Sequence, residues 1–167
     1  IADCWSRGTA TIMILGDTCT RSCGLCDVKT AKPAPPDYDE PQKVGKSVAL
    51  MGLRHIVITC VDRDDLPDGG AAHFHKDIER VREVNPGIVI EVLTPDFMDD
   101  DAAINSLISA RPEIFNHNME TVRRLTPKVR SVAKYDRSLS VLAKVKERVP
   151  EIYTKSGICL LYTSPSP

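Results

Sequence analysis

Eight residues carry three cysteines: Cys19, Cys23 and Cys26, in the run TCTRSCGLCD at 18–27. This C-x3-C-x2-C spacing constrains the chain more than any other feature. Three thiolates so close together must share one short loop, and the scaffold must hold that loop open over a pocket. A cubane [4Fe-4S] cluster takes four thiolates when fully ligated. Three would leave one iron with a vacant position for a small molecule, which turns an electron carrier into a catalyst. Two plainer readings stay open. Zinc would want a fourth ligand and commonly shows paired C-x2-C halves, but Cys60 and Cys159 stand alone. The thiols could also be inert.

Six cysteines with irregular spacing suit metal in a reducing compartment better than a disulfide scaffold. The 167 residues suffice for one domain with its own core, and 42% apolar with 27% charged residues reads as a soluble globular chain. A net charge of −1 and 5% aromatics give no reason to expect nucleic acid or a membrane surface as partner. No apolar run approaches the length of a membrane span. No signal or transit segment is recognisable, and the chain begins at Ile1 without Met.

Strand and helix patterns alternate. Residues 9–15 (TATIMIL) read as a first strand, and the cysteine loop follows at once. Four prolines in 32–41 demand an extended connection, and Pro41 can open a helix carrying Val44, Val48 and Met51 on one face. Residues 53–59 form a second strand, and 61–70 (VDRDDLPDGG) a polar loop. Phe74, Ile78 and Val81 then mark a helical face, on whose polar side His73 and His75 are placed as surface residues. A third strand is expected at 88–93. An acidic start at 99–101 opens a helix with Ile104, Leu107 and Ile108, as the helix dipole favours. A fourth strand is expected at 113–118. A last helix carries Leu139, Leu142, Val145 and Val149, with Ser138 as its cap, and a fifth strand spans 153–158. Such alternation predicts an α/β fold of parallel β/α units. Every loop after a strand then opens on one edge, where such folds keep their sites. The cysteines, the DRDDLPDGG loop, Glu91 and residues 116–118 converge there, which favours an enzyme over a static metal module.

The chain resembles the radical S-adenosylmethionine (SAM) enzymes, whose signature is C-x3-C-x2-C after a first barrel strand. Within them it is similar to the lipoyl synthase family. The matching stretches are 4–28 (CWSRGTATIMILGDTCTRSCGLCDV), 57–74 (VITCVDRDDLPDGGAAHF), 90–97 (IEVLTPDF), 115–122 (FNHNMETV), 129–139 (VRSVAKYDRSL) and 153–158 (YTKSGI). The resemblance implies a partial parallel (β/α) barrel of the radical SAM type, truncated after about five strands. It implies insertion of two sulfur atoms at carbons six and eight of an octanoyl chain on a carrier lysine. The implied cofactors are SAM and two [4Fe-4S] clusters, one generating the radical and one giving up sulfur. The implied partners are octanoylated lipoyl domains (2-oxoacid dehydrogenase E2 subunits, glycine cleavage H protein) and a low-potential electron donor. The implied compartment is bacterial cytoplasm, or the mitochondrial matrix.

Carried over residue by residue, Cys19, Cys23 and Cys26 would hold the radical-generating cluster. Leu25 stands where the family has an aromatic residue. Cys4 would be the last ligand of an auxiliary C-x4-C-x5-C motif whose first members would lie before Ile1, so 1–8 would end that segment and 9–158 form the barrel domain. For SAM, the candidates are backbone at Gly69 and Gly70, then Glu91, Asn116 and Asn118. His117 is either a ligand contact or a satisfied structural histidine. Arg63 with Asp62, Asp64, Asp65 and Asp68 could position SAM or the acyl-lysine, or simply pair with one another. Cys60 stands where the family has Ser and needs no metal role. The family pattern breaks after Ile158. Residues 159–167 (CLLYTSPSP) resemble a translated sequencing adapter and are expected to be a non-native tail. The chain alone is accordingly expected to lack the complete activity. Another radical SAM sulfur inserter of the biotin-synthase kind, or a non-enzymatic cysteine metal module, stays in play.

Overall fold

The structure, a computed structural model, describes residues 2–158, so the expected tail at 159–167 lies outside the described residues. A short helix α1 (Ala2–Ser6) precedes β1 (Thr9–Ile14). The cysteine segment contains a ribbon of two-residue strands, β2 (Thr18–Cys19) and β3 (Lys29–Thr30). Then come α2 (Glu40–Met51), β4 (His55–Cys60), α3 (Ala71–Val84) and β5 (Val89–Leu93). A 3-10 turn (Phe97–Asp99) leads to α4 (Asp101–Ser109) and β6 (Ile114–Asn116). The short α5 (Thr126–Val129), α6 (Tyr135–Arg148) and β7 (Tyr153–Lys155) complete it.

The main sheet runs β1-β4-β5-β6-β7, and every pair is parallel. Strand order follows chain order with no reversal, as in a barrel wall and unlike a doubly wound sheet. One face is apolar: Ile56, Ile58, Ile90, Val92 and Phe115 are fully buried against Val48, Phe74, Ile78, Ile104, Leu107, Val141 and Val145 of the helices. Each such side chain contributes about 1.5–3 kcal/mol. The opposite face carries Thr9, Thr11, His55, Glu91 and Lys155, which with Cys4 and Trp5 line a cavity of about 850 Å³. A polar inner wall with an apolar outer wall is what a lumen-lining strand needs.

The alternation of elements is as expected, and their edges are trimmed. The fourth strand keeps only Ile114–Asn116, and the fifth only Tyr153–Lys155 followed by an isolated bridge between Glu120 and Ile158. Pro41 lies in the first turn of α2, and Gly52 closes it in the left-handed conformation (φ 61°). Asp100 caps α4 by accepting from the Ala103 N–H at 2.8 Å. Two helix details differ. Ser138 is no cap: α6 starts at Tyr135, and Ser138 is fully buried within it. The inward face of α6 is Ser138, Val141 and Val145, which leaves Leu139 43% exposed. The pattern misled because one buried position on that face is a hydroxyl.

Candidate functional site

The three cysteines sit beyond the carboxyl end of β1, as the parallel topology requires. The chain leaves the strand through Leu15 in a left-handed conformation (φ 65°) followed by Gly16. Both main-chain groups of Leu15 are gripped by charge. Its N–H donates to Glu40 Oε2 at 2.8 Å, and its carbonyl accepts from Arg63 Nη1 at 3.0 Å. Further along, Thr20 N–H and Oγ1–H both donate to the Asp62 carbonyl (3.0 and 2.9 Å), and Gly24 N–H donates to Val129 O at 2.8 Å. The Cys26 N–H closes a turn onto Cys23 O at 3.1 Å.

Between the first two cysteines, Arg21 is almost wholly buried. Its guanidinium reaches Asp64 twice (2.6 Å each), Asp96 at 2.8 Å and Asp62 at 3.2 Å. These carboxylates come from the loops after β4 and β5, so one side chain ties the cysteine loop to both neighbours. Burial opposes the charge on Arg21, but the carboxylates outweigh it and keep the group protonated. Burial likewise pushes the Asp96 carboxyl up, and Arg21 more than reverses it, holding Asp96 below its usual range. Burial wins at Asp62, whose carboxyl is raised. Sequence reading did not single out Arg21, although three aspartates in two other loops were the available signal.

Cys23 and Cys26 line a cleft of about 260 Å³ together with Leu25, Thr94, His117, Asn118 and Arg130. Cys19 lies deeper, its Sγ accepting from Arg21 N–H at 3.3 Å and standing 3.8 Å from Asp62 Oδ2. Burial raises the Cys19 and Cys23 thiols, and Arg130 partly offsets this at Cys23. A bound metal would deprotonate them. The donor set tests what they could hold. Tetrahedral Zn–S bonds of 2.3 Å put the sulfurs about 3.8 Å apart. Among the described residues, these three do not form a group of ligand atoms within 4.8 Å of one another. A cubane spreads its thiolates over separate irons and asks for wider spacing, so the trio fits a cluster better than one ion. Cys60 also borders the cleft, its thiol raised well above normal by burial.

The other expected site residues fall into four places. Asn118 lies on the cleft, its Oδ1 accepting from Gly157 N–H at 2.9 Å. His117, also on the cleft, is fully satisfied. Its Nδ1 donates to Thr94 O at 2.9 Å, so Nε2 accepts from the Ser138 hydroxyl at 2.9 Å, and burial lowers its pKa. Glu91 and Asn116 lie deeper, on the inner face of the sheet. Glu91 pairs with Lys155 (2.9 Å) and His55 (3.4 Å) and accepts from Asn116 Nδ2 at 3.2 Å. Gly69 and Gly70 abut Phe97 and Leu15 and close the loop after β4. Arg63 is 2% exposed, and its donors go to Leu15 O, Ala34 O and Asp65. Asp68 accepts from the Gly70 and Ala72 N–H groups at the start of α3. Cys4 stands at the opposite end of the strands, where Gly8 O accepts from Arg54 and His55.

The radical SAM superfamily model matches residues 13–165. The chain is 54% identical to a lipoyl synthase of Anaeromyxobacter dehalogenans (strain 2CP-C) over 160 residues, 95% of this chain and 54% of that protein. It is 53% identical over the same length to a lipoyl synthase of Anaeromyxobacter sp. (strain Fw109-5). The chain thus spans about half the length of the curated relatives it matches. Its fold is similar to methylornithine synthase PylB (TM-score 0.66, 16% identity, 91% of this chain and 45% of that one). It is also similar to Streptococcus suis SuiB bound to S-adenosylmethionine (TM-score 0.67, 13% identity, 99% and 38%).

Proposed function

Because the chain belongs to the radical SAM superfamily, we propose that it is the barrel portion of a lipoyl synthase, which inserts two sulfur atoms into a protein-bound octanoyl-lysine. The observation that carries this reading is the 54% identity to a lipoyl synthase across 95% of the chain. The position of Cys23 and Cys26 on one cleft, with Cys19 deeper in the same loop, supports it. Cys19, Cys23 and Cys26 would hold a [4Fe-4S] cluster, which would supply one electron and an open iron position to SAM.

The chain's own residues do the holding and shielding. Arg21 and Gly24 fix the loop at its middle and tip. Leu25 and Pro95 give the cleft apolar wall, which keeps water from a reactive carbon centre. Asn118 and Arg130 face the same space and are the groups we assign to polar parts of SAM. Neutral His117 shapes the wall without offering a proton. Glu91 and Asn116 brace the strand ends from beneath, and Gly69 and Gly70 let the loop after β4 close tightly. We place Cys4 in a second cluster, and its position on a different cavity from Cys23 and Cys26 supports separate centres. The carrier's octanoyl arm is the proposed substrate. No helix among the described residues is long and apolar enough to cross a membrane.

The test is anaerobic loading with iron and sulfide, followed by reduction. About four irons on the trio and an electron paramagnetic resonance (EPR) spectrum that shifts on adding SAM are expected. Cys23→Ser should abolish both. Zinc in place of iron, or indifference to SAM, defeats the reading. With an octanoyl-lysyl carrier peptide, mass spectrometry of the parent protein's products should show lipoyl. Sulfur insertion into dethiobiotin instead would favour the biotin-synthase-like alternative.

A further inference from the structure

Behind the cysteine loop, three ligand-type side chains meet away from the cleft, and only Glu40 touches the loop, through the Leu15 N–H. Glu40 opens α2, while His73 and Asp77 lie four residues apart on one face of α3. His73 Nε2 is 2.8 Å from Glu40 Oε2 and 3.4 Å from Asp77 Oδ2. All three donor atoms lie within 4.8 Å of one another. His73 is buried, against the surface placement its sequence context suggested, because α3 turns this flank toward α2. Asp77 is fully buried, aimed at His73, and neither carboxylate oxygen has a hydrogen-bond partner.

A buried carboxylate without partners is costly. A proton is one remedy, and burial does push the Asp77 carboxyl up to about 7, with Glu40 adding to the rise and His73 opposing it. A divalent cation is the other. Ligand bonds of 2.0–2.1 Å place adjacent donors about 3.0–3.3 Å apart, in tetrahedral or octahedral geometry. The observed 2.8 and 3.4 Å bracket that range. One imidazole and two carboxylates also balance a charge of two. Glu40 lines a small cleft with Asp17 and Asp37, an acidic way in from solvent.

We propose that Glu40, His73 and Asp77 bind one divalent first-row cation, Mn²⁺ or Zn²⁺, at a site separate from the cysteines. The bound ion locks α2 to α3 and, through the Glu40 contact with the Leu15 N–H, to the root of the cysteine loop.

The experiment uses Mn²⁺, which binds thiolates weakly, added to the cluster-loaded chain after chelator treatment. Loss of the free Mn²⁺ EPR signal should saturate at one equivalent. Electron spin echo should show coupling to a single imidazole nitrogen, a readout that needs no variant. Asp77→Asn and His73→Gln should each weaken binding at least tenfold, while a Cys19→Ser/Cys23→Ser/Cys26→Ser chain keeps it. Mn²⁺ should raise the melting temperature of the parent chain and not of Asp77→Asn. Unsaturable binding, absent nitrogen coupling, or binding by Asp77→Asn and His73→Gln as tight as the parent's overturns the proposal.

Discussion

Replacing Arg21 by Gln should be among the most damaging single changes to the cysteine loop. Gln keeps the backbone N–H that bonds Cys19 Sγ but removes the charge that three carboxylates share. Breaking a buried ion pair by removing one partner costs about 3–5 kcal/mol. Here the figure is reduced, because the Asp62 and Asp64 side chains are 23% and 31% exposed and can recover water. Asp96 cannot, but it keeps Arg137 at 3.2 Å and the Met98 N–H at 3.1 Å. A loss of about 3 kcal/mol follows, at the lower end of that range. Urea unfolding at pH 7.5, followed by circular dichroism, measures it. Arg21 holds the Asp96 carboxyl below its usual value of 3.8, so its stabilisation is present above that pH and lost as acid reaches the folded-state value. The gap between parent and variant should therefore narrow as the pH falls below 3.8. An Asp96→Asn double-mutant cycle should show strong non-additivity. A loss under about 1 kcal/mol, or a gap independent of pH, would refute the argument that these charges are coupled and desolvated.

Gly70 sits at φ 91°, and a Cβ there would fall 2.4 Å from Leu15 Cδ1, so Gly70→Ala should cost about 2–4 kcal/mol. Gly87→Ala, at φ 82° with open space around it, should cost only the backbone strain of about 1–2 kcal/mol, and thermal melts compare the two. In chelator, the raised Asp77 carboxyl makes the folded state bind the extra proton, so stability should fall as pH rises from 3.8 to about 7. The upper bound is about 4 kcal/mol, and Asp77→Asn should flatten the profile. Cys4→Ser should leave iron at the trio and its SAM-dependent EPR shift unchanged, as measured by iron analysis and EPR of the loaded chain.

Periodicity located the central strands because their helix-facing residues, Ile56, Ile58, Ile90 and Val92, are apolar wherever the register demands it. Strand order and the shared edge followed from the same alternation. The cysteines announced themselves by spacing alone. What stayed hidden was long-range polar pairing, which has no period. Arg21 draws its meaning from residues 43 and 75 positions away. His73 looked like a surface residue until α2 covered it, and Ser138 looked like a cap until His117 took its hydroxyl. Glu91 was expected near the end of its strand and lies two residues before the end of β5; what the sequence did not show is its pairing with Lys155, His55 and Asn116 on the inner face.

The grip on Leu15 reaches beyond stability. A segment anchored where it leaves the sheet and again at Gly24 behaves as a beam fixed at two points. Such a beam barely bends when a neighbouring charge appears or vanishes. Centres that exchange electrons one at a time gain from surroundings that need little rearrangement. The Leu15 amide, shut against a carboxylate, should then rank with the sheet interior as one of the slowest protons to trade with heavy water.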